Sequence, residues 1–158
     1  MVRRHIVFRR NLCLGCQACE IACKQEHDIP VGPRWIRVFT IGPVKKSGKL
    51  HLSFKMVRCL HCSKPVCLDS CPTKAISKRG DGIVLINDEL CIGCAACIEA
   101  CPFGAPQFNP EKDTIEKCNL CAHRIDEGLS PACVLVCPTK ALVFGDDTKI
   151  NEAIRPRR

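Results

Sequence analysis

Cys13-Leu14-Gly15-Cys16-Gln17-Ala18-Cys19-Glu20-Ile21-Ala22-Cys23 has the spacing C-x2-C-x2-C-x3-C. Cys91-Ile92-Gly93-Cys94-Ala95-Ala96-Cys97-Ile98-Glu99-Ala100-Cys101 repeats it. Two looser copies lie between and beyond them. Cys59, Cys62, Cys67 and Cys71 widen the middle gap to four residues, and Cys118, Cys121, Cys133 and Cys137 widen it to eleven. These four groups use all 16 cysteines of the 158-residue chain. Three of them close on Cys-Pro, at Pro72, Pro102 and Pro138, whereas Cys23 is followed by Lys24.

The spacing has a mechanical reading. Three closely spaced cysteines wrap a loop around one iron–sulfur cubane, and the fourth, past a helical turn, points to a neighbouring cluster. Proline after the fourth stops the turn and leaves no N–H unpaired. One C-x-x-C pair is weak evidence, because zinc sites and redox dithiols share it. Four such runs, three closed by Cys-Pro, point to four [4Fe–4S] clusters over zinc or disulfides.

Each fourth cysteine needs a partner cluster, so the groups must pair. Between the second and third groups, Ala75-Ile76-Ser77-Lys78 and Ile83-Val84-Leu85-Ile86 flank a Gly80-Asp81-Gly82 turn, a β-hairpin signature. Motif, hairpin, motif is the layout of a two-cluster ferredoxin, which leaves the first and fourth groups to pair with each other. The repeat of Cys71-Pro72-Thr73-Lys74-Ala75-Ile76 as Cys137-Pro138-Thr139-Lys140-Ala141-Leu142 agrees with this. The expected ligand sets are Cys13, Cys16, Cys19 and Cys137 for cluster 1, and Cys118, Cys121, Cys133 and Cys23 for cluster 2. Cluster 3 takes Cys59, Cys62, Cys67 and Cys101, and cluster 4 takes Cys91, Cys94, Cys97 and Cys71. The rival pairs the first group with the second and the third with the fourth. It needs Lys24 to Arg58 inside one module, which is long for such a connection.

The expected fold class is α+β: two ferredoxin-like modules with a β-hairpin insertion. The outer module takes residues 1–57 and 109–158, and the inner one 58–108. The insertion reads as strands over Trp35–Ile41 and Leu50–Met56 about a solvated Lys45–Lys49 turn. Arg4–Arg9 reads as a further strand and Asn119–Glu127 as a helix stopped by Gly128. The stretch after Gly145, ending Arg155-Pro156-Arg157-Arg158, reads as loose or partner-bound.

Composition narrows the class of function. With six Phe, one Trp and no Tyr, the chain has little with which to build an ordinary core, so bound metal must supply folding free energy. The formal charge of +8 counts every cysteine as neutral. Sixteen thiolates around four cores of about +2 each add about −8, which the surplus Lys and Arg balance. Nucleic acid is therefore not an expected partner. The N-terminal segment lacks the apolar stretch of a secretory signal, and no run is long enough to span a membrane. The expected location is cytoplasmic, where thiols stay reduced or bind metal.

His61, between Cys59 and Cys62, reads as a half-exposed loop residue, and neither His27 nor His123 as a ligand. Trp35 reads as packing. No dinucleotide fingerprint, phosphate loop or catalytic dyad is visible, so no catalytic residue is expected.

The stretches Cys13–Cys19, Pro30-Val31-Gly32-Pro33-Arg34-Trp35-Ile36-Arg37-Val38, Cys91–Cys94, Lys117-Cys118-Asn119-Leu120-Cys121-Ala122-His123-Arg124-Ile125, Pro131-Ala132-Cys133 and Cys137–Leu142 together carry a resemblance. The chain resembles the four-cluster iron–sulfur subunits of the DMSO reductase group of molybdenum and tungsten enzymes, over nearly its whole length. The resemblance implies the same cross-ligation, four full cubanes because Cys67 and Cys97 are both present, and a non-catalytic electron-transfer role. It implies as partners a larger molybdenum- or tungsten-cofactor catalytic subunit and a second redox partner: a flavin subunit, a ferredoxin or a hydrogenase-type protein. The chain is short and lacks the C-terminal membrane anchor of larger members, and so resembles the small polyferredoxin subunit of tungsten aldehyde oxidoreductases. A free polyferredoxin carrier and a self-associating, electron-conducting chain are the alternatives.

Overall fold

The structure is a computed structural model and describes residues 2–154. The Arg155–Arg158 end lies outside the described residues. The small α+β architecture is built from four two-stranded antiparallel ladders and six short α-helices among the described residues.

The chain's two ends pair with each other. Strand β1 (His5–Phe8) runs antiparallel to β8 (Leu142–Gly145), with Ile6 opposite Phe144 and Phe8 opposite Leu142. Between them, α1 (Ala18–Glu26) packs on α5 (Ala132–Leu135). The interior repeats this plan. β4 (Ile76–Lys78) pairs with β5 (Val84–Ile86), and α2 (Val66–Asp69) packs on α3 (Ala96–Ala100). The Gly-Asp-Gly signal is where the hairpin turns: the Gly82 N–H donates to the Arg79 carbonyl at 2.9 Å, with φ of +89° at Gly82.

β2 (Ile36–Lys46) and β3 (Lys49–Arg58) form a hairpin longer than the sequence suggests. Lys45, Lys46 and Lys49 belong to the strands, and only Ser47 and Gly48 make the turn, both left-handed as a primed two-residue turn requires. Ile36 and Val38 are buried at its base, while residues 39–52 are exposed. Glu20 fastens that base to α1: its carboxylate accepts from the Val38 N–H at 2.5 Å and from Arg34 at 3.1 Å.

Three elements depart from the sequence reading. β6 (Gln107–Asn109) and β7 (Thr114–Glu116) form a hairpin across the 108/109 position, too short to show alternation. Its turn is fixed by Asn109 Oδ1, which accepts from the N–H groups of Glu111 and Lys112. The helix expected over Asn119–Glu127 is only α4 (Ala122–Asp126), because Leu120 and Cys121 adopt left-handed backbone. The tail is not loose through residue 154. It forms α6 (Asp147–Ile154), started by Asp146, whose side chain accepts from the Lys149 N–H at 2.8 Å, and anchored by buried Ile150.

One apolar core joins the two halves: Ile6, Ile36, Leu120, Ile125 and Leu142 from the outer elements meet Ile83 and Ala105 from the inner ones. Burying each of the larger aliphatics contributes roughly 1.5–3 kcal/mol. Arg79 adds a polar tie by forking onto Asp126 of α4 at 2.9 and 2.6 Å.

Candidate iron–sulfur centres

Each C-x-x-C loop bends in the same way. The residue just before the second cysteine is left-handed in all four: Gly15 (φ +68°), His61 (+48°), Gly93 (+66°) and Leu120 (+61°). This bend turns backbone N–H groups inward. Gly15 N–H lies 3.4 Å from Cys13 Sγ, and His61 N–H lies 3.5 Å from Cys59 Sγ. The Cys-Pro sites share a second bend. The N–H groups of Lys74, Gly104 and Lys140 donate to the carbonyls of Cys71, Cys101 and Cys137 at 3.3, 3.0 and 3.2 Å. Cys23 has no proline behind it, and α1 runs on to Glu26.

These bends gather the cysteines into sets. Cys13, Cys16, Cys19 and Cys137 line one cavity, with Phe8, Val38, Met56 and Leu142 completing its wall. Cys59, Cys62, Cys67 and Cys101 line a second, with Val84 and Lys117. Cys71, Cys91, Cys94 and Cys97 line a third, with Ile76, Ile86 and Ile115. Cys23 is buried in one core with Cys118 and Cys133. Burial first, then the sulfurs of Cys118, Cys133 and Cys121 in that order, push its thiol far up.

The donor set fits an iron–sulfide core better than a lone ion. Among the described residues no three His, Cys, Asp or Glu side chains converge closely enough to hold a single metal ion. Four sulfurs instead face a space between them, with apolar walls and inward N–H groups. Burial pushes the thiols of Cys19, Cys97 and Cys121 up to about 11, so a crowded set of thiolates needs a cationic core to form. Cys71 goes the other way. Burial raises it, but hydrogen bonds from the Thr73 hydroxyl (Oγ1 at 3.7 Å) and from the backbone of Ala75, Ile76 and Thr73 lower it.

The sets also have an order. Cys19 and Cys133 are electrostatic neighbours, as are Cys118 and Cys59, and Cys67 and Cys97. Set one is thus within electrostatic reach of the Cys118 set, that set of the Cys59 set, and the Cys59 set of the Cys91 set. Burial follows this order. Cys16 and Cys94, in the end sets, are exposed, and Cys23, Cys118, Cys121 and Cys133 are all buried.

Different hairpins cover the two end sets. A Cβ on Gly15 would sit 2.2 Å from the Phe54 ring of β3, and one on Gly93 would sit 2.6 Å from the Asp113 carbonyl in the β6–β7 turn. The equivalent positions in the middle sets carry His61 and Leu120, each 1% exposed.

His61 is therefore not the half-exposed residue its loop suggests. Its Nδ1 accepts from the Val84 N–H at 2.9 Å, and burial, then Lys117, Arg58 and Arg3, hold its pKa well down. His27 carries no ligand signal in the sequence, yet its Nε2 lies 3.2 Å from Cys121 Sγ and its ring packs 4.6 Å from that of Trp35. Burial lowers His27 to about 4, so it is neutral at pH 7. His123 instead pairs with Glu26 at 2.7 Å. Trp35 is buried, with its Nε1 unpartnered among the described residues.

Known proteins share these patterns. Residues 50–147 match a family described as 4Fe-4S dicluster domain, and residues 12–75 match a second family of the same description. The chain belongs to the 4Fe–4S dicluster family. It is 43% identical over 155 residues to the B subunit of polysulfide reductase from Wolinella succinogenes, covering 94% of this protein and 81% of that one. It is 44% identical over 143 residues to the thiosulfate reductase electron transfer subunit of Salmonella typhi, covering 88% and 74%. Over 169 residues it is 39% identical to the formate dehydrogenase iron-sulfur subunit of Wolinella succinogenes, covering 92% and 82%. This dicluster protein is an electron-transfer iron–sulfur subunit, not a catalytic one. Among its described residues no helix is long and apolar enough to cross a membrane.

Proposed function

We propose that this dicluster protein holds four [4Fe–4S] clusters in a single row and relays electrons along it for a catalytic subunit. Cluster 1 is bound by Cys13, Cys16, Cys19 and Cys137, and cluster 2 by Cys118, Cys121, Cys133 and Cys23. Cluster 3 is bound by Cys59, Cys62, Cys67 and Cys101, and cluster 4 by Cys91, Cys94, Cys97 and Cys71. When bound, each cluster accepts and releases one electron at a potential that its surroundings set. The observation that carries this reading is Cys137 in one cavity wall with Cys13, Cys16 and Cys19.

Two ferredoxin-like modules follow from this assignment, an outer one closed by β1 and β8 and an inner one around β4 and β5. The β2–β3 hairpin is then an insertion whose Val38, Met56 and Phe54 shield the first set from water. Exposed Cys16 and Cys94 sit at the two ends of the row, which favours two partners: a molybdenum or tungsten catalytic subunit at one end and a second redox protein at the other. The names of the relatives support an oxidoreductase complex of this kind. A cytoplasmic location goes with the reading.

The test is anaerobic purification with the neighbouring subunit retained. Co-elution with a larger molybdenum- or tungsten-bearing subunit supports the proposal. A stable protein without a partner, reduced by several unrelated donors, supports a free carrier instead.

A further inference from the structure

Arg58 and Lys117 are buried cations, 6% and 3% exposed, and neither has a carboxylate partner among the described residues. Lys117 donates from Nζ to the Val84 carbonyl and, at 3.3 Å, to the Cys118 carbonyl. Arg58 donates to the Ile6 carbonyl and, at 2.7 Å, to the Cys59 carbonyl, while its Nε is unpartnered. The adjacent Glu116 carboxylate is engaged by Lys112 at 2.7 Å. A buried charge held only by carbonyl dipoles is costly, so a counter-charge is to be expected close by.

The placement of the two cations is reciprocal. Arg58 directly precedes Cys59, and Lys117 directly precedes Cys118. Each is thus fixed to the first cysteine of one middle set, with its side chain buried near the other. Lys117 lines the cavity of Cys59, Cys62, Cys67 and Cys101. Arg58, bonded to Ile6, lies against the core in which Cys59 meets Cys118 and Cys133. Arg58 is within electrostatic reach of the Cys118 and Cys133 sulfurs, and Lys117 of Cys67. The end groups lack the device, for Leu12 and Leu90 precede Cys13 and Cys91.

We propose that Arg58 and Lys117 form a reciprocal cation bridge between the two central clusters, holding up their reduction potentials and lowering the cost of electrons on adjacent sites. The inference rests on the ligand assignment above. Reduction adds negative charge to a buried site, and a fixed cation in a low-dielectric interior favours the more negative state. Two cations placed across the junction act on both clusters at the step between the modules. The bridge also gives the surplus basic residues a specific location: part of the charge balance sits inside the wire.

The experiment is a potentiometric titration of the whole, cluster-loaded protein followed by electron paramagnetic resonance, with iron counted on the same samples. Lys117→Met should shift the midpoint of the cluster at Cys59, Cys62, Cys67 and Cys101 to a more negative potential. Arg58→Met should do so for the cluster at Cys118, Cys121, Cys133 and Cys23. Both end clusters should stay at wild-type values, and Lys117→Arg and Arg58→Lys should restore the central ones. Iron loss in the neutral variants with full loading of the charge-retaining ones also supports the bridge. Unmoved central midpoints at full iron content overturn it, and so does equal damage from charge-retaining and neutral variants, which makes the effect one of packing. A wild-type protein with far fewer than sixteen irons would instead sink the four-cluster reading beneath it.

Discussion

Phe8 pairs with Leu142 at the end of the β1–β8 ladder, and this register brings the Cys137 turn against the loop of Cys13, Cys16 and Cys19. The ladder closes the outer half of the molecule from the two ends of the chain. A Cys137→Ser change should therefore damage the cluster of the first group and spare that of Cys118, Cys121 and Cys133. Electron paramagnetic resonance of the reduced variant reads which signal is altered. Loss confined to the Cys118 set would overturn the pairing.

Much of this was legible in the sequence, for physical reasons. Gly80-Asp81-Gly82 marks a tight turn because Gly82 takes a left-handed φ of +89°, and Cys-Pro marks a stop because proline cannot continue a helix. The β6–β7 hairpin was not legible, since three-residue strands carry no usable period and Asn109 directs the turn through its side chain. The left-handed His61 and Leu120 gave no signal either, because neither position carries the glycine that marks such a bend at Gly15 and Gly93. Nor did the bare charge count separate Arg58 and Lys117 from the solvated lysines of the hairpin tip.

The glycine requirement differs from loop to loop. Gly93→Ala forces a left-handed alanine and puts its Cβ against the Asp113 carbonyl oxygen, so it should cost roughly 3 kcal/mol or more. Gly104→Ala meets only Arg37 Nη2 at 3.7 Å and should cost roughly 1 kcal/mol. Gly15→Ala should fall between them, because the Phe54 ring in its way is a side chain that can swing aside. Thermal bleaching of the visible absorbance ranks the three variants. Equal behaviour of Gly93→Ala and Gly104→Ala would contradict the packing described.

Burial should set the order of cluster loss. Cys16 and Cys94 are exposed, while all four cysteines of the Cys118 set are buried. Under air or an iron chelator, the two end clusters should decay first and the Cys118 cluster last. Time-resolved spectroscopy at partial bleaching checks this. Early loss of the Cys118 cluster would run against the proposed order of the row.

Glu26 joins α1 to α4 through His123 at 2.7 Å and Arg124 at 2.9 Å. The hydrogen bond from His123, then burial acting the other way, then Arg124, leave its pKa below the ordinary carboxylate value. A lowered folded-state pKa means that the stabilisation is complete above the unfolded value of about 4.3 and is lost as pH falls through the folded one. Glu26→Gln should speed cluster loss at pH 7, and the gap from wild type should close below about pH 4. Bleaching rates of the two proteins from pH 7 to 3.5 measure it. A gap that widens as the pH drops would reverse the sign.

Iron and acid-labile sulfide, counted per anaerobically purified protein, bear most directly on four cubanes held by four cysteine sets. About sixteen of each is the expected result. Near eight iron atoms, or zinc in their place, would contradict it.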